Sequence, residues 1–372
     1  MKNILLMGLL LSASTAFAQK LASKDELEEQ KFGTETVWRF KKSQEPLEGN
    51  FKVAQGEGAY FDGTFSKGRM NGTFKYFDKK GDKIAEISYK NGEQDGKSIF
   101  YENGKVEQEH SYRAGKLNGE QKRFDEKGKL VDLSTYKDGK KDGKFWKKKT
   151  YRTREGEIDG FKEEFYKDDK PFGKWIEKAN NNMVHIEYDY KDEGTYTRVE
   201  YWDNGKKESE KSYKDHKEHG SHKRYDKYSG NLERENIYDN GVRTCEKRFS
   251  TRNGKQTYEM NYKNGQRNGH HFSKYEPGFT DEEGDYKDGY KDGLWKTYYR
   301  NGNLESETRY AIGQREGLYK EYSEEGNVTI EGNFKNDQMD GIWKYYEAKK
   351  LVQDKIYKMG DLVKSTRYNE NR

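Results

Sequence analysis

The residues whose types and spacing first suggest chemistry are three histidines in DHKEHGSHKRY, residues 215–225 of a 372-residue chain. His216, His219 and His222 cross one corner of a recurring phrase, and Cys245, the single thiol, stands where the next copy of that phrase usually has glycine. Stacking of the two copies would bring Cys245 near His219 and His222. That nitrogen–sulfur set is of the kind that holds Zn²⁺ at about 2.0–2.3 Å. The competing reading is a group of exposed polar turn residues, because corners two strands apart leave a gap that side chains must bridge.

Catalytic constellations are not found. The chain has 67 Asp and Glu against 72 Lys and Arg, and the two signs alternate finely along segments that read as exposed strands. No nucleophile elbow, phosphate loop or HExxH occurs, and the glycine-rich corner at 265–269 is followed by neither Lys-Ser/Thr nor a helical pattern. The expectation is a chain without enzymatic activity and without a cofactor. Net charge is +5 with no concentrated basic stripe, which argues against a nucleic-acid partner.

Aromatic residues are the other chemistry on offer. Tyr (30), Phe (18) and Trp (6) are abundant, although only 30% of residues are hydrophobic, 37% are charged and mean hydropathy is -1.40. Chains this polar are commonly disordered and poor in aromatics; here the apolar surface sits on rings, which suits a thin, half-wet sheet. The rings recur two residues after a glycine (Trp175, Trp295, Tyr319, Trp343) and five residues after it (Tyr101, Tyr225, Tyr298, Tyr322, Tyr346). Positions two and five differ in parity, so on a strand they point to opposite faces. Trp295, Tyr298, Tyr322, Trp343, Tyr346 and Tyr101 are therefore the candidate binding residues. Structurally such rings replace an aliphatic core; functionally an exposed row of them suits a protein partner or self-association, and a glycan or a membrane surface is the alternative.

The elements that position these rings come from a repeat. Phe65, Tyr89, Tyr112, Tyr136, Tyr166, Tyr190, Tyr213, Tyr238, Tyr262, Tyr286, Tyr310, Phe334 and Tyr357 follow one another at 23 to 25 residues, except for a 30-residue step from Tyr136 to Tyr166 that places an insertion near 147–156. A sustained period of this size means an array in which each unit packs on its neighbours. Each unit carries Tyr-Lys-(Asn/Asp)-Gly-x-x-x-Gly and a second, Asn-Gly-type corner, as in YENGK (101–105), WDNGK (202–206) and YRNGN (299–303). The first is expected to form the wide corner between hairpins and the second a two-residue type I′ turn. With Asn301-Gly302 as that turn, Tyr299 faces Leu304, Thr297 faces Ser306, Trp295 faces Thr308 and Gly293 faces Tyr310; Lys296 faces Glu307. One repeat on, Gly317 faces Phe334 and Lys320 faces Glu331. Tyr310 and Phe334 are expected to cover the glycines opposite them. The fold class is all-β: an elongated, single-layer antiparallel sheet of about 13 stacked hairpin repeats, on the order of 120 Å long at ~4.8 Å per strand.

Segments such as GLWKTYYRNGNLESETRYAIGQREG (293–317) and GIWKYYEAKKLVQDKIYKMG (341–360) resemble MORN repeats, in particular the bacterial antitoxin-type variant. The resemblance covers about 49–368 and implies a twisted sheet of stacked hairpins with roles in protein contact, scaffolding and membrane association. The antitoxin-type likeness implies a cytosolic toxin as partner. A second likeness is to choline-binding, cell-wall-anchoring repeats, whose Gly-Trp rhythm 6 Trp residues do not sustain.

Residues 1–18 have the layout of a cleaved export signal: Lys2, an apolar run at 4–11, and Ala16-Phe17-Ala18. A lone cysteine leaves no intramolecular disulfide. Residues 19–48 are expected to form a lead and cap, with 20–31 a short helix or flexible lead and 37–51 an irregular first hairpin. The array follows over 49–368, irregular near 147–189, and 369–372 is a polar tail. The expected function is a non-catalytic binding scaffold of the cell envelope, located in the periplasm, outer envelope or outside the cell. A glycan or lipid-surface binder and an antitoxin-type partner are the alternatives.

Overall fold

The structure, a computed structural model, describes residues 19–32, 35–153, 156–181, 183–275 and 278–368. The expected export signal and the tail at 369–372 lie outside the described residues. The chain divides into a unit that runs to Pro171 and a unit that begins at Phe172. Each is an antiparallel meander in which a strand pairs with the one before and the one after it, as the Tyr/Gly periodicity requires.

The first unit opens differently from the expectation for 20–31. Lys20–Ser23 is a strand lying parallel to Gly49–Gly56, and Lys24–Glu26 is one 3-10 turn held by a reciprocal cap between Ser23 and Glu26. Leu27–Phe32 then pairs with Glu35–Phe40, so the first hairpin spans 27–40 and not 37–51. Its backbone docks on the meander: the Trp38 N–H donates to Gly68 O at 2.7 Å and the Gly68 N–H to Leu47 O at 2.8 Å. Beneath it Leu27, Trp38, Leu47, Phe51, Val53, Phe61, Phe65 and Phe74 form a buried cluster. Each such side chain is worth about 1.5–3 kcal/mol when fully buried, so the array begins on a two-layered core that a single-layer reading leaves out. The insertion is absorbed by lengthening one hairpin, Lys140–Thr153 against Gly156–Lys167, paired from Gly143–Tyr166 out to Thr153–Gly156.

In the second unit the expected register holds along Tyr290–Tyr298 and Leu304–Ala311. Gly293 faces Tyr310, Trp295 faces Thr308, Lys296 faces Glu307 and Thr297 faces Ser306; one repeat later Gly317 faces Phe334 and Lys320 faces Glu331. The corners are exchanged relative to expectation. The two-residue turn is Asp288-Gly289, both residues at positive φ (50° and 92°), with Lys287 opposite Tyr290. At YRNGN the Gly302 N–H donates to Tyr299 O and the Tyr299 N–H to Asn303 O, both at 2.9 Å. That is a three-residue loop with only Gly302 left-handed, and a bulge makes Tyr298, not Tyr299, face Leu304. Of the three Asn-Gly corners named above, Asn103-Gly104 is the two-residue turn, with Glu102 opposite Lys105.

The two-residue corners touch their neighbours directly. The N–H of Gly289 donates to Arg267 O, that of Gly313 to Lys291 O and that of Gly360 to Met339 O, each at 2.9 Å. The residue before the second glycine adds a side-chain link: Glu316 accepts from Asn336 N–H at 2.8 Å and Asp340 from Met359 N–H at 3.1 Å. Successive corners therefore have no gap between them, contrary to the spacing argument.

Candidate functional site

The pleat of the second unit sorts its side chains into two rows. On one face Lys223, Glu235, Lys247, Glu259, Phe272, Glu283, Lys296, Glu307, Lys320, Glu331, Lys344 and Asp354 stand opposite one another in succession. Opposite charges so placed contribute roughly 0.2–1 kcal/mol per pair. The position-five tyrosines belong to this face and donate to its carboxylates: Tyr298 to Glu283 at 2.5 Å, Tyr322 to Glu307 at 2.9 Å, Tyr346 to Glu331 at 2.8 Å and Tyr225 to Glu210 at 3.4 Å. Burial, then the carboxylate bond, pushes Tyr322 up to about 12 and raises Tyr298 further. In the first unit Tyr101 departs from this scheme, with the Lys83 ammonium 4.3 Å from its ring centre. Beside Tyr298, Tyr322 and Tyr346, four residues earlier on each strand, Leu294, Leu318 and Ile342 are exposed.

Trp295 and Trp343 lie on the opposite face, as parity requires, and each is 2% exposed. Trp295 packs on Tyr286 with ring centres 5.0 Å apart, and Trp343 on Phe334 at 4.9 Å. Cations cover these rings in turn: Lys291 lies 3.7 Å from the Trp295 centre, Arg267 5.2 Å from Tyr286 and Arg315 3.9 Å from Phe334. This face makes its own core out of rings and the stems and charges laid over them, so the two tryptophans present no free surface for a ligand. The glycine cover is also different from expectation. Nothing lies near the face of Gly293, and Gly317 meets only Arg309; both are needed for positive φ (73° and 96°). On this face a ring instead covers Gly284, under Trp295, and Gly332, under Trp343.

The histidine–cysteine set is not brought together. His222 faces Asn236, which faces Glu246; Cys245, the neighbour of Glu246, points to the other side of the sheet. The His222 Nε2 donates to Ser212 O at 2.9 Å, and His219 Nδ1 lies 3.4 Å from an Asp239 oxygen. His216 fills the glycine position of a two-residue corner at φ 61°. Cys245 is buried, and burial followed by Glu259 raises its thiol. Among the described residues no group of three or more His, Cys, Asp or Glu is placed to hold a metal ion.

Among the described residues, two buried ionisable side chains, His271 and Glu246, escaped the sequence reading. His271 stands two residues after Gly269, the position of Trp295 in its own repeat, and lies among Tyr258, Tyr286 and Trp295. Its Nδ1 donates to Glu259 O at 2.7 Å and its Nε2 meets Glu282 at 3.3 Å. That bond, reinforced by Lys291 against the opposing effect of burial, holds the Glu282 carboxyl down to about 2. Glu246, also buried, is gripped by Arg243 at 3.0 Å and Arg248 at 2.9 Å, whose guanidinium groups lie over Tyr262 and Tyr258. The periodic position was the available signal for His271; Glu246 had none.

Six segments, residues 70–91, 94–114, 117–138, 197–215, 291–311 and 315–336, match the family model of the MORN repeat variant. The chain is thus a repeat protein that carries MORN repeats. No curated protein matches it. Among solved structures, it is similar to a chain in a crystal structure of TcdB2-TccC3-Cdc42, at 9% identity over 90% of this chain and 25% of that one, with a TM-score of 0.18. A chain of the Photorhabdus luminescens Tc holotoxin pore is similar at 11% identity over 82% of this chain and 24% of that one, with a TM-score of 0.14. The chain spans about a quarter of the length of either.

Proposed function

We propose that this MORN-repeat chain is a non-catalytic binding scaffold of the cell envelope that holds a protein partner on the face bearing Leu294, Leu318 and Ile342. The observation that carries the reading is the exposure of these three aliphatic side chains, one per repeat at the same position. They stand beside Tyr298, Tyr322 and Tyr346, whose hydroxyls are fixed by Glu283, Glu307 and Glu331. Equivalent side chains two strands apart recur every 9–10 Å or so. The result is a ruled surface of aliphatic contacts, rigid aromatic edges and paired charges, in keeping with the enrichment of aromatics at protein interfaces. Glu283, Glu307 and Glu331 on this face accept from tyrosine hydroxyls, and Glu331 from Lys344 as well, which supports a binding role over acid–base work. The envelope location rests on the export layout of residues 1–18; a cytosolic antitoxin-type role is the competing reading.

The test is crosslinking mass spectrometry in the native envelope, comparing the wild type with Leu294→Lys/Leu318→Lys/Ile342→Lys. Crosslinks that disappear in the variant support the proposal, and an unchanged crosslink set removes it. Sedimentation with liposomes or peptidoglycan that the variant abolishes would move the reading to a lipid or glycan surface. N-terminal sequencing of the mature chain tests the location: an intact Met1 end favours the antitoxin-type reading.

A further inference from the structure

The corner-to-corner bonds of the second unit follow one rule: the carbonyl two residues before the second glycine of a repeat accepts from the N–H of the next corner. Glu218, Arg267, Lys291 and Met339 stand before Gly220, Gly269, Gly293 and Gly341, and accept from Gly241, Gly289, Gly313 and Gly360. Those four second glycines are all at positive φ, between 73° and 90°. Cys245 takes that place in the repeat that follows Gly220, and its φ is not positive. The carbonyl two residues before it belongs to Arg243, and here the rule breaks. Among the described residues the Gly265 N–H donates to no carbonyl.

An untied N–H matters because of the asparagine in front of it. In an Asn-Gly step the glycine nitrogen can attack the asparagine Cγ. A C–N bond forms to close a succinimide ring, the Cγ–Nδ2 bond breaks, and ammonia leaves. Water then opens the ring to aspartate or isoaspartate. Glycine has no side chain to obstruct the approach. The chain contains ten Asn-Gly steps, and the fold holds eight of them. The N–H groups of Gly92, Gly205, Gly241, Gly254 and Gly302 donate to Met70, Trp202, Glu218, Ser250 and Tyr299 O at 2.8–2.9 Å. Gly72, Gly119 and Gly269 stand in strands opposite Tyr89, Tyr136 and Tyr286. The other two steps, Asn103-Gly104 and Asn264-Gly265, are exposed corners. In both, neither the glycine N–H nor the asparagine amide has a hydrogen-bond partner among the described residues. Asn103 and Asn264 are at positive φ, 49° and 50°, as Asn240 is at 48°, so each turn must open before the nitrogen reaches Cγ. A tied corner loses its bond in opening. The corner at Gly265 has none to lose.

We propose that Asn264 and Asn103 are the sites of spontaneous deamidation in the folded chain, and that Cys245 in the place of a glycine is what leaves Asn264 open to it. The co-reactant is water. The product carries a new carboxylate at the corner and, in its isoaspartyl form, an extra carbon in the main chain. This inference does not depend on the partner-binding reading.

The experiment incubates the full chain in mildly alkaline buffer over weeks and follows each Asn-Gly step by peptide mapping with mass spectrometry. Every rate is divided by that of the same step in the urea-unfolded chain, which removes differences due to neighbouring residues. Asn264 and Asn103 should convert first. Asn264 should convert roughly two- to twelvefold faster than Asn240, the factor that one net backbone hydrogen bond represents. Cys245→Gly should let Gly265 reach Arg243 O and slow Asn264 to the rate of Asn240, with Asn103 unchanged. Cys245→Ala should leave Asn264 as fast as in the wild type; circular dichroism verifies that both variants keep their strand content. A wild type in which Asn240 or Asn91 converts as fast as Asn264 overturns the proposal. A Cys245→Gly chain in which Asn264 is no slower overturns the role of Cys245.

Discussion

Trp295 lies flat on Gly284: a Cβ at that glycine would fall 2.4 Å from the indole, and Trp343 stands in the same relation to Gly332 at 2.3 Å. Neither glycine has a positive φ, so what the site requires is space. Replacing a strand glycine with alanine ordinarily stabilises by roughly 0.5–1 kcal/mol. Here Gly284→Ala should instead destabilise by about 1–3 kcal/mol, the cost of overpacking. Urea unfolding followed by tryptophan emission tests it: the midpoint should fall and the emission of the folded variant shift to the red as the ring lifts. A midpoint at or above that of the wild type would contradict the packing described.

The tyrosine–carboxylate bonds set a limit on the alkaline side. Tyr322, pushed up to about 12 by burial and Glu307, is more protonated in the folded chain than in the unfolded one between pH 10 and 12. Its contribution is therefore complete below pH 10 and is lost as pH rises toward 12. In spectrophotometric titration Tyr322→Phe should remove one late-ionising phenol, and its stability at neutral pH should fall by about 0.5–1.5 kcal/mol. Loss of an early-ionising phenol instead would refute the bond to Glu307.

Glu282 sets the acid limit. Its carboxyl is held at about 2 by the hydrogen bond from His271 and by Lys291, so its contribution is present above pH 4.5 or so and disappears as pH falls toward 2. Discounted for solvent screening, about 1–2 kcal/mol rides on it. Hydrogen exchange along Thr280–Lys287 should accelerate over that interval in the wild type. Glu282→Gln should exchange faster already at pH 6 and change less with acid; a variant that tracks the wild type would disprove the role.

Zinc should have no effect. With His222 and Cys245 on opposite sides of the pleat, an excess of Zn²⁺ should leave native mass and melting temperature unchanged. The Cys245 thiol, buried and raised, should react slowly with a thiol reagent until the chain is unfolded. Rapid labelling of the folded protein, or a zinc-bound mass lost in Cys245→Ala, would overturn this placement.

The register between Gly293 and Tyr310 was legible because the alternation of ring and charge is phased by the repeat itself. The corners were not, since Asn-Gly and Asp-Gly occur at both and only the bulge opposite Tyr298 decides which one is two residues long. Parity placed Trp295 and Tyr298 on opposite faces correctly. It said nothing of exposure, because Lys291 reaches the indole and Glu283 reaches the phenol through side-chain stems that a pattern does not orient. The zinc expectation failed on the same geometry: Cys245 was placed by its distance along the chain, while the pleat sends it away from His222. Lys20–Ser23 was misread because its partner, the strand Gly49–Gly56, lies far along the chain, whereas Leu27–Phe32 pairs with the nearby Glu35–Phe40 through a charged sequence that carries little strand pattern.

The corner-to-corner bonds from Gly289 to Arg267, Gly313 to Lys291 and Gly360 to Met339 bear on how this region responds to force. A load that peels Asp361–Arg367 away meets first the ladder to Lys350–Lys358 and the Gly360 and Asp340 links, and only after these break does the next hairpin come under tension. Such a strip fails like a zipper, one repeat at a time, and each tooth that lets go leaves those behind it intact.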